Sequence, residues 1–155
     1  MIQSHNKKLY DELFTEIARM HDEVNYLKHQ KRYQGRKGNR RHFPAVSVGA
    51  EYKGCSSIGH HHDKSSSQDF HPSIMGELEH RLGKLNKNSI NYPACKNKVG
   101  HCAENYAASG VLNKIDANGK VDFADYLSSI QFTKSFQPRT WKNIDWCMNC
   151  HTMFD

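Results

Sequence analysis

The sequence predicts a layered α/β domain in which helices flank a small mixed β-sheet. Apolar residues recur at helical spacing over residues 6–30, and a second amphipathic pattern begins at Pro72. Between residues 43 and 61, small and β-branched residues lie on either side of a glycine turn, as expected of a β-hairpin. The length of 155 residues is enough for one domain to bury its own core.

The first predicted element is one long amphipathic helix over residues 6–30. Its apolar positions repeat at intervals of three or four residues, whereas charged residues occupy the opposite side. The stripe consists of Leu9, Leu13, Ile17, Met20, Val24 and Leu27. We expect this face to cover one side of the sheet, and no residue in it suggests a chemical role.

A run of basic residues follows this helix. Residues 28–42 contain seven lysines and arginines and no acid, while the rest of the chain has 15 basic and 16 acidic residues. Such a local excess is typical of a segment that contacts phosphates, although a solvated linker has the same composition. The candidate nucleic-acid-binding residues are Lys31, Arg32, Arg36, Lys37, Arg40 and Arg41. The predicted domain therefore divides into an N-terminal helical segment at 1–33, a basic loop at 34–42 and a core at 43–155.

The core opens with two predicted strands, at residues 43–49 and 53–61, joined by a turn at residues 52–54. The second strand leads into three consecutive histidines, of which His60 is the first. Three successive residues of an extended chain cannot all face one ion. We therefore expect a substrate-facing loop or a solvated turn here, with His60 as the candidate substrate contact.

An insertion lies between the hairpin and the later part of the core. Residues 64–69 are polar and rich in serine, and a helix over residues 72–86 carries an apolar stripe and an i,i+4 pair of Glu77 with Arg81. This insertion forms either a wall beside a functional site or only a packing element. In the loop that follows, we expect Cys95 to be a free thiol, with metal ligation as the alternative.

The remaining predicted elements are a helix, a turn and a strand. Small residues over 101–112 are typical of a helix that packs closely under a sheet, and Gly110 is expected to weaken or end it. Residues 116–125 imitate part of a calcium loop, but their ligand positions do not fit an EF-hand, so we expect a simple Asn-Gly turn. Residues 126–136 are predicted as the third strand, which Pro138 ends.

Two cysteine motifs carry the chemistry of this sequence. Cys102 is followed by Glu104 and, after 44 intervening residues, by Cys147 and Cys150 in a Cys-x-x-Cys motif. Zinc favours thiolate ligands, and a catalytic zinc keeps three protein ligands with the fourth position left for water. If each motif begins a helix, Cys147 and Cys150 share one helix face, and positive helix ends favour ionised thiolates. Glu104 is then a carboxylate that the metal does not need, placed for proton transfer.

These motifs resemble the signature of the cytidine-deaminase superfamily, which reads His/Cys-x-Glu followed by Pro-Cys-x-x-Cys. The Cys-Ala-Glu form and the absence of Pro, replaced here by Trp146, are most similar to the bacterial toxin deaminases, relatives of the AID/APOBEC group. The resemblance implies a cytidine-deaminase-like three-layer domain with one zinc ion held by Cys102, Cys147 and Cys150. It also implies that Glu104 is the catalytic proton shuttle while zinc-activated water attacks C4 of cytosine, giving uracil and ammonia.

The same resemblance implies a substrate, a partner and a place of action. Cytosine in single- or double-stranded DNA is the favoured substrate, with RNA left open, because the basic segment suits a polynucleotide. Trp141 and Trp146 are candidate substrate-binding residues, since an indole can stack on a flipped or single-stranded base. Toxin relatives act in the cytoplasm of a target cell after secretion from another cell, and a cognate immunity protein blocks them. Such an immunity protein is the expected partner.

The resemblance also sets an expectation for the end of the sheet. Members of the superfamily continue with a further strand or two after the Cys-x-x-Cys helix, whereas this chain has five residues after Cys150. We therefore expect either a truncated sheet, covered by the helices at 6–30 and 72–86, or a sheet edge that a partner completes.

Two other function classes fit the same residues. A free cytidine or nucleotide deaminase would share the metal motif but would not need the basic segment. A non-catalytic nucleic-acid-binding module would hold a structural zinc, with His101, Cys95 or His151 as the fourth ligand. We favour the catalytic class because a structural site has no use for Glu104.

Composition limits the cell compartment and argues against a membrane protein. The five cysteines are odd in number, and no secretory signal peptide precedes them. This predicts metal-bound thiolates in a reducing compartment rather than a disulfide framework. No apolar run approaches the length needed to span a bilayer, and only 37% of the residues are hydrophobic, which predicts a soluble protein.

Overall fold

The structure, a computed structural model, describes residues 1–29, 43–116 and 121–155. Its helices are α1 (Lys7–Lys28), α2 (Pro72–Leu82), α3 (Ala103–Ile115), α4 (Phe123–Ser129) and α5 (Met148–Phe154), with a short 3-10 helix at Ser67–Asp69. Its strands are β1 (Ile2–Gln3), β2 (Ser47–Tyr52), β3 (Cys55–His60), β4 (Gln131–Phe132), β5 (Ser135–Phe136) and β6 (Asn143–Ile144). A curled mixed sheet is packed between helices, so the predicted α/β class is confirmed at this level.

Strand β2 is the centre of the sheet, whose order is β1-β4-β2-β5-β6, with β3 on the other edge of β2. β1 and β4 are parallel, and the remaining pairs are antiparallel. β4 and β5 pair with the same edge of β2, so they are two parts of one interrupted strand. At the interruption, the backbone N of Gly49 donates a hydrogen bond to Oγ1 of Thr133 at 2.9 Å.

The predicted hairpin consists of β2 and β3. Its two turn residues, Lys53 and Gly54, have positive φ angles of 45° and 81°, which match the twist of the flanking strands. The first strand begins at Ser47 rather than at residue 43. It runs on to Tyr52, beyond the predicted end, because the two strands pair along their full length.

The hairpin presents one face to α1 and the opposite face to α3. A Cβ added to Gly49 would lie 3.0 Å from the side chain of Leu9 in α1. Gly59 is paired with Val48, the neighbour of Gly49, and contacts the backbone of α3 at Ala103. Because neighbouring residues of a strand point to opposite faces, α1 and α3 lie on opposite sides of the sheet.

Helix α1 forms as predicted and covers the first of these faces. Asn6 begins it, since its Oδ1 accepts a hydrogen bond from the backbone N of Lys8 at 3.0 Å. The buried residues of the helix are Leu9, Leu13, Ile17 and Val24. Two other members of the predicted stripe, Met20 and Leu27, are half-buried. The helix therefore contributes apolar burial rather than chemistry.

Helix α3 lies so close to the hairpin that glycine is needed on both sides of the contact. A Cβ on Gly59 would overlap the backbone of α3, and a Cβ on Gly110 would overlap the side chain of Ser57. Of the two outcomes expected at Gly110, weakening or ending of the helix, the second does not occur, since α3 continues to Ile115. The low helix propensity of glycine is offset by the close packing that its missing side chain allows.

The predicted third strand is wrong over its first half. Its first residues belong to α4, and only residues 131–136 pair with the sheet, as β4 and β5. Asp122 begins α4 because its Oδ1 accepts a hydrogen bond from the backbone N of Asp125 at 3.0 Å. Tyr126 is fully buried and donates a hydrogen bond to the carbonyl oxygen of Ala108. This contact with α3 favours the helix over the strand-like alternation of the local sequence.

Helix α2 begins at Pro72, as predicted, and ends before Gly83, which has a φ of 104°. The predicted pair is present, since Nε of Arg81 donates to Oε2 of Glu77 at 2.7 Å. Nη1 of Arg81 also donates to the carbonyl oxygen of Thr152 at 3.3 Å. α2 packs against α3 and α5 through such contacts. It is a packing element, and it supplies none of the cavity residues named below.

Two predictions fall on residues that the structure does not describe. The basic residues from Lys31 to Arg41 lie outside the described ranges, and so does the Asn-Gly turn at residues 118–119. Of the helices in the described ranges, none has both the length and the apolar character needed to cross a membrane.

Candidate functional site

Two helix beginnings bring three cysteines together. Cys102 is the N-cap of α3, Cys147 is the N-cap of α5, and Cys150 lies in the first turn of α5. Sγ of Cys102 is 3.3 Å from Sγ of Cys147, which in turn is 3.6 Å from Sγ of Cys150. All three sulfur atoms lie within 4.8 Å of one another. We call this group the sulfur cluster.

The geometry and chemistry of the sulfur cluster fit a metal ion that prefers sulfur. Thiolates bound to one tetrahedral zinc lie about 3.8 Å apart, because each Zn–S bond is about 2.3 Å long. The observed separations need only small adjustments to reach that value. Cys102 and Cys150 are buried, Cys147 is half-buried, and none of them forms a disulfide. The three cysteines could therefore hold a metal ion, and zinc is the metal that we predict.

The three thiols titrate unequally because they are in contact. Contacts with Cys102 and Cys150 lower the pKa of Cys147 well below its ordinary value. The contact with Cys147 and burial raise the pKa of Cys102 well above that value, although the contact with Cys150 opposes this shift. Contacts with Cys102 and Cys147, together with burial, raise the pKa of Cys150 well above it. The cluster thus favours a thiolate at Cys147 beside two thiols, and a metal that binds all three would displace the remaining protons.

Glu104 places a carboxylate against the sulfur cluster. It is 4% exposed, its Oε1 accepts a hydrogen bond from Oγ of Ser135 at 2.7 Å, and its Oε2 lies 3.2 Å from Sγ of Cys150. Burial raises the pKa of Glu104, and the hydrogen bond from Ser135 opposes this shift. None of the ion pairs within the described ranges includes Glu104. A buried carboxylate without a cationic partner is costly, and such a group is typical of a functional site.

A small cavity opens beside the sulfur cluster. The volume of the cavity is about 30 Å³, which is room for one or two water molecules. Its lining residues are Val46, His61, Asn97, Cys102, Ala103, Glu104, Ser135, Ile144, Asp145 and Cys147. Cys150 is not among them. A metal held by the three sulfurs would therefore lie at the edge of a cavity, beside Glu104.

The residues that could have closed a structural zinc site are engaged elsewhere or lie outside the sulfur cluster. Nε2 of His101 is 2.8 Å from Oδ1 of Asn86. Nδ1 of His151 is 2.8 Å from a carboxylate oxygen of Asp155. Cys95 is a half-buried free cysteine, and in the described part of the chain the cluster has no fourth His, Cys, Asp or Glu ligand.

His61, rather than His60, lines the cavity. The His60 ring faces helix α1, where its Nε2 is 3.8 Å from a carboxylate oxygen of Glu16. Its Nδ1 is 2.7 Å from Oγ of Ser47 in β2. Burial lowers the pKa of His61, which favours a neutral imidazole in the cavity wall. The predicted substrate contact at His60 is therefore not brought to the sulfur cluster, whereas its neighbour is.

The two predicted base-stacking residues occupy different environments. Trp146 is half-buried against the main core, and its Nε1 has no hydrogen-bond partner among the described residues. Trp141 is 42% exposed and stacks on His21, with ring centroids 5.3 Å apart and an interplanar angle of 10°. Neither indole lines the cavity, although Trp146 directly precedes Cys147.

Sequence reasoning missed several residues that build the cavity wall, among them Ser135 and Asn97. Ser135 had a detectable signal, because it alternates with Phe136 on a predicted strand and must face the opposite side from that ring. Asn97 had none, because it lies in a loop that tertiary contacts position. Its carbonyl oxygen accepts a hydrogen bond from Nδ2 of Asn149 at 2.8 Å, which joins the loop to α5.

Comparison of the chain with protein-family models, curated proteins and solved structures found no match. A mixed α/β arrangement of this size is compatible with many activities. The sulfur cluster, Glu104 and the cavity are therefore the features from which a function can be assigned.

Proposed function

We propose that this chain is a zinc-dependent hydrolase that deaminates cytosine to uracil in nucleic acid, with DNA favoured over RNA. The observation that carries the proposal is the joint position of three cysteine sulfurs and a buried carboxylate at one cavity. A cytidine-deaminase-like fold belongs to the same proposal. It is supported by the two cysteine motifs, which begin two helices beside a mixed sheet, as the resemblance implies.

The environment of Glu104 favours a catalytic metal over a structural one. A structural zinc is closed by four protein ligands and needs no further carboxylate. Here the described residues supply three sulfurs, and the carboxylate of Glu104 is held by Ser135 beside them. Keeping an ionisable group buried costs stability. A role in proton transfer explains why this position is not occupied by an apolar residue.

The residues of the chain divide the chemistry among them. Zinc, when bound, supplies a Lewis acid that makes a water molecule more acidic. Cys102, Cys147 and Cys150 would hold the ion. Glu104 is placed to exchange protons with the attacking water at Oε2, since Ser135 occupies Oε1 with a hydrogen bond of 2.7 Å.

The proposed reaction balances with water as the only co-substrate. The water oxygen forms a bond to C4 of cytosine, and the bond between C4 and the exocyclic nitrogen breaks. Of the two water protons, one ends on N3 of uracil and the other on the ammonia that leaves. Glu104 is the group placed to carry these protons.

A polynucleotide substrate is favoured by the distribution of charge. The excess of positive residues lies in the segment 28–42, and a basic segment attracts the phosphates of DNA or RNA. Delivery into a target cell as a toxin and restraint by an immunity protein belong to this proposal through the resemblance. They are consistent with a small basic domain that acts on nucleic acid.

Sequencing of an oligonucleotide pool after incubation with the zinc-loaded protein tests the proposal. Single-stranded DNA, duplex DNA and RNA pools are compared in parallel with free cytidine. We expect cytosine to be read as thymine in at least one polynucleotide pool. Glu104→Gln should lower the rate by about 10²- to 10⁴-fold, as expected for loss of a general acid/base, while zinc content stays at about one ion per chain.

The same assay separates the alternatives. Turnover of free cytidine with no change in any polynucleotide would favour a nucleoside deaminase. Bound zinc with no base change in any substrate would favour a structural-zinc module. Loss of zinc in Cys102→Ser or Cys150→Ser is expected in all three cases, so it tests the ligands and not the reaction.

A further inference from the structure

The loop between β5 and β6 holds a bulky aromatic residue in an unfavourable backbone conformation. Trp141 has a φ of 60°, in the left-handed region that glycine and asparagine prefer. Its backbone N donates a hydrogen bond to the carbonyl oxygen of Gln137 at 2.8 Å. The backbone N of Gln137 in turn donates a hydrogen bond to the carbonyl oxygen of Lys142 at 2.8 Å. A glycine here would avoid the backbone cost. Backbone strain at a non-glycine residue suggests that its side chain has a function.

The indole of Trp141 is held flat against a neighbouring ring. His21 stacks on it at 5.3 Å, and Nε2 of His21 is 2.7 Å from the carbonyl oxygen of Pro138. Phe43 packs on the same His21 ring, with centroids 4.7 Å apart. His21 covers one indole face and the ring of Phe14 lies 6.2 Å from the indole at an interplanar angle of 54°, yet Trp141 is still 42% exposed, so part of the indole is open to solvent. A rigid, open aromatic face can stack on a base with little loss of side-chain freedom.

Two cationic residues lie close to the indole along the chain. Arg139 and Lys142 lie on either side of Trp141 in the loop, and both are exposed. Within the described ranges, neither of them forms an ion pair. The nearest acid along the loop is Asp145, which lines the cavity instead. An exposed aromatic ring in a loop with cations that form no ion pair is a combination typical of sites that bind single-stranded nucleic acid.

The loop is joined directly to the cavity. Ser135 in β5 and Ile144 in β6 are a paired couple, and both line the cavity. Ile144 is three residues from Trp141, so their Cα atoms are at most about 10 Å apart, the length of three residues of extended chain. Val46 also lines the cavity, and it is three residues from Phe43, which packs on His21. A polynucleotide with one base at the mouth of the cavity could therefore reach the indole with a neighbouring nucleotide around the β5–β6 edge of the sheet.

We infer that Trp141 is a stacking platform for an unpaired base of single-stranded nucleic acid, next to the cavity and separate from it. This inference rests on the proposed function and adds the strand state of the substrate. Bases in a duplex are stacked on one another and offer no free face, so the platform favours single strands. Arg139 and Lys142 would contact the phosphates on either side. Because every base has an aromatic face, the platform does not select the base that it holds.

Tryptophan fluorescence tests this inference, since the chain has two tryptophans. Trp146→Phe leaves Trp141 as the single reporter, and Glu104→Gln in the same chain prevents turnover. We expect a single-stranded oligothymidine to quench the fluorescence until the sites are saturated. The same strand paired with its complement should leave the signal nearly unchanged.

Binding of a labelled oligothymidine to variants gives a second measurement. Trp141→Leu should raise the Kd by about tenfold, the effect of losing one base stack. Trp141→Tyr should restore most of the affinity, because it returns an aromatic face at the same backbone position. Tyr92→Leu is the matched control, since Tyr92 is 37% exposed in the loop before α3 and should have no effect.

The outcomes separate this inference from the proposed function. Equal quenching by duplex and single strand, or an unchanged Kd in Trp141→Leu, would overturn the platform whatever the chain does to cytosine. Normal quenching and a weakened Trp141→Leu, in a protein that changes no base in any pool, would retain the platform and overturn the deaminase.

Discussion

The two faces of the sheet contact their helices in different ways. On the α3 face, glycines and alanines bring backbones into contact, and the buried polar groups include thiols, a hydroxyl and a carboxylate. On the α1 face, leucines and aromatic rings fill the space. Neighbours on β5 show the contrast, because Ser135 donates a hydrogen bond to Glu104 whereas Phe136 packs 5.1 Å from the ring of Phe14.

This difference reflects what each face has to position. Backbone-to-backbone contact places the first turn of α3, with Cys102 and Glu104, in a closely defined position relative to the sheet, and a metal site needs such placement. The α1 face needs only to bury apolar area and to leave one aromatic ring open. Substitutions on the two faces should therefore fail in different ways.

Removal of the metal should give the largest effect, and it should act on the α3 face. A ligand present at about 1,000 times its Kd stabilises a fold by about 4 kcal/mol. Chelation of zinc, or Cys150→Ser, should therefore lower the thermal midpoint by about 10 °C in a chain of this size. Calorimetry with zinc analysis of the same samples measures both quantities.

Cys95→Ser is the matched control for this prediction, because Cys95 lies outside the sulfur cluster. It should keep both the zinc and the thermal midpoint. Loss of zinc in Cys95→Ser would show that this residue is a fourth ligand. A midpoint that stays constant while zinc is removed would show that the cluster does not join α3 to α5.

Gly59→Ala should give the next largest effect, because the added Cβ would overlap the backbone of α3. Backbone atoms cannot turn aside as a side chain can, so we expect a loss of about 3 kcal/mol or more in the free energy of unfolding. Urea denaturation measures it. Gly76→Ala on α2 is the control, since no atom lies within 4 Å of its added Cβ and helix propensity should stabilise it by up to about 1 kcal/mol. Equal effects at the two glycines would contradict close contact on the α3 face.

Ser135 and Phe136 allow the two faces to be tested from adjacent residues. Ser135→Ala should lower the deamination rate by about tenfold with a stability change of about 1 kcal/mol, because one oxygen of Glu104 loses its donor. Phe136→Ala should cost about 2 kcal/mol of stability and leave the rate of the folded protein nearly unchanged. Rates of uracil formation, measured where urea curves show both variants folded, decide between these effects. The reverse pattern would contradict the division of labour between the faces.

Elements whose pattern lies within one continuous stretch of the sequence could be predicted. The stripe of α1 recurs over several turns, and the Gly54 turn marks the hairpin, so neither depends on distant residues. Helix α4 could not be predicted in this way, because residues 129–133 alternate like a strand and that pattern extends the predicted strand back to Tyr126. Burial of Tyr126 against Ala108 decides its conformation, and that contact joins elements distant in the sequence.

The site could be predicted only in the half that consists of the cysteines. The motifs of Cys102 and of Cys147 have spacings with a chemical reason, and the structure brings their sulfurs together. Ser135, His61 and Asn97 come from three separate segments that meet only in the folded chain. Serine, histidine and asparagine are frequent elsewhere in this sequence, so residue type alone does not distinguish these three positions, although strand alternation places Ser135 on the side opposite to Phe136.

His60 offers the finest test of the difference between the faces, because it and His61 are adjacent and face different surroundings. Burial lowers the pKa of His60, and the charges around it are those of Glu16, which opposes the shift, and of Arg19 and His62, which add to it. The folded state therefore holds a neutral His60 at a pH where the unfolded chain already binds a proton. Stability is lost as pH falls through about 6.5. His60→Asn removes this contribution and can retain a hydrogen bond to Ser47.

We therefore expect His60→Asn to lose less stability than the unmodified chain between pH 7 and pH 5.5. The difference should be smaller than about 1.4 kcal/mol, the free energy of a one-unit difference in pKa. Urea denaturation at each pH measures it, and His80→Asn on the exposed side of α2 serves as the control. The deamination rate should not change, because His60 does not line the cavity. A large loss of rate with an unchanged pH profile would instead assign His60 to the substrate, as its sequence position predicted.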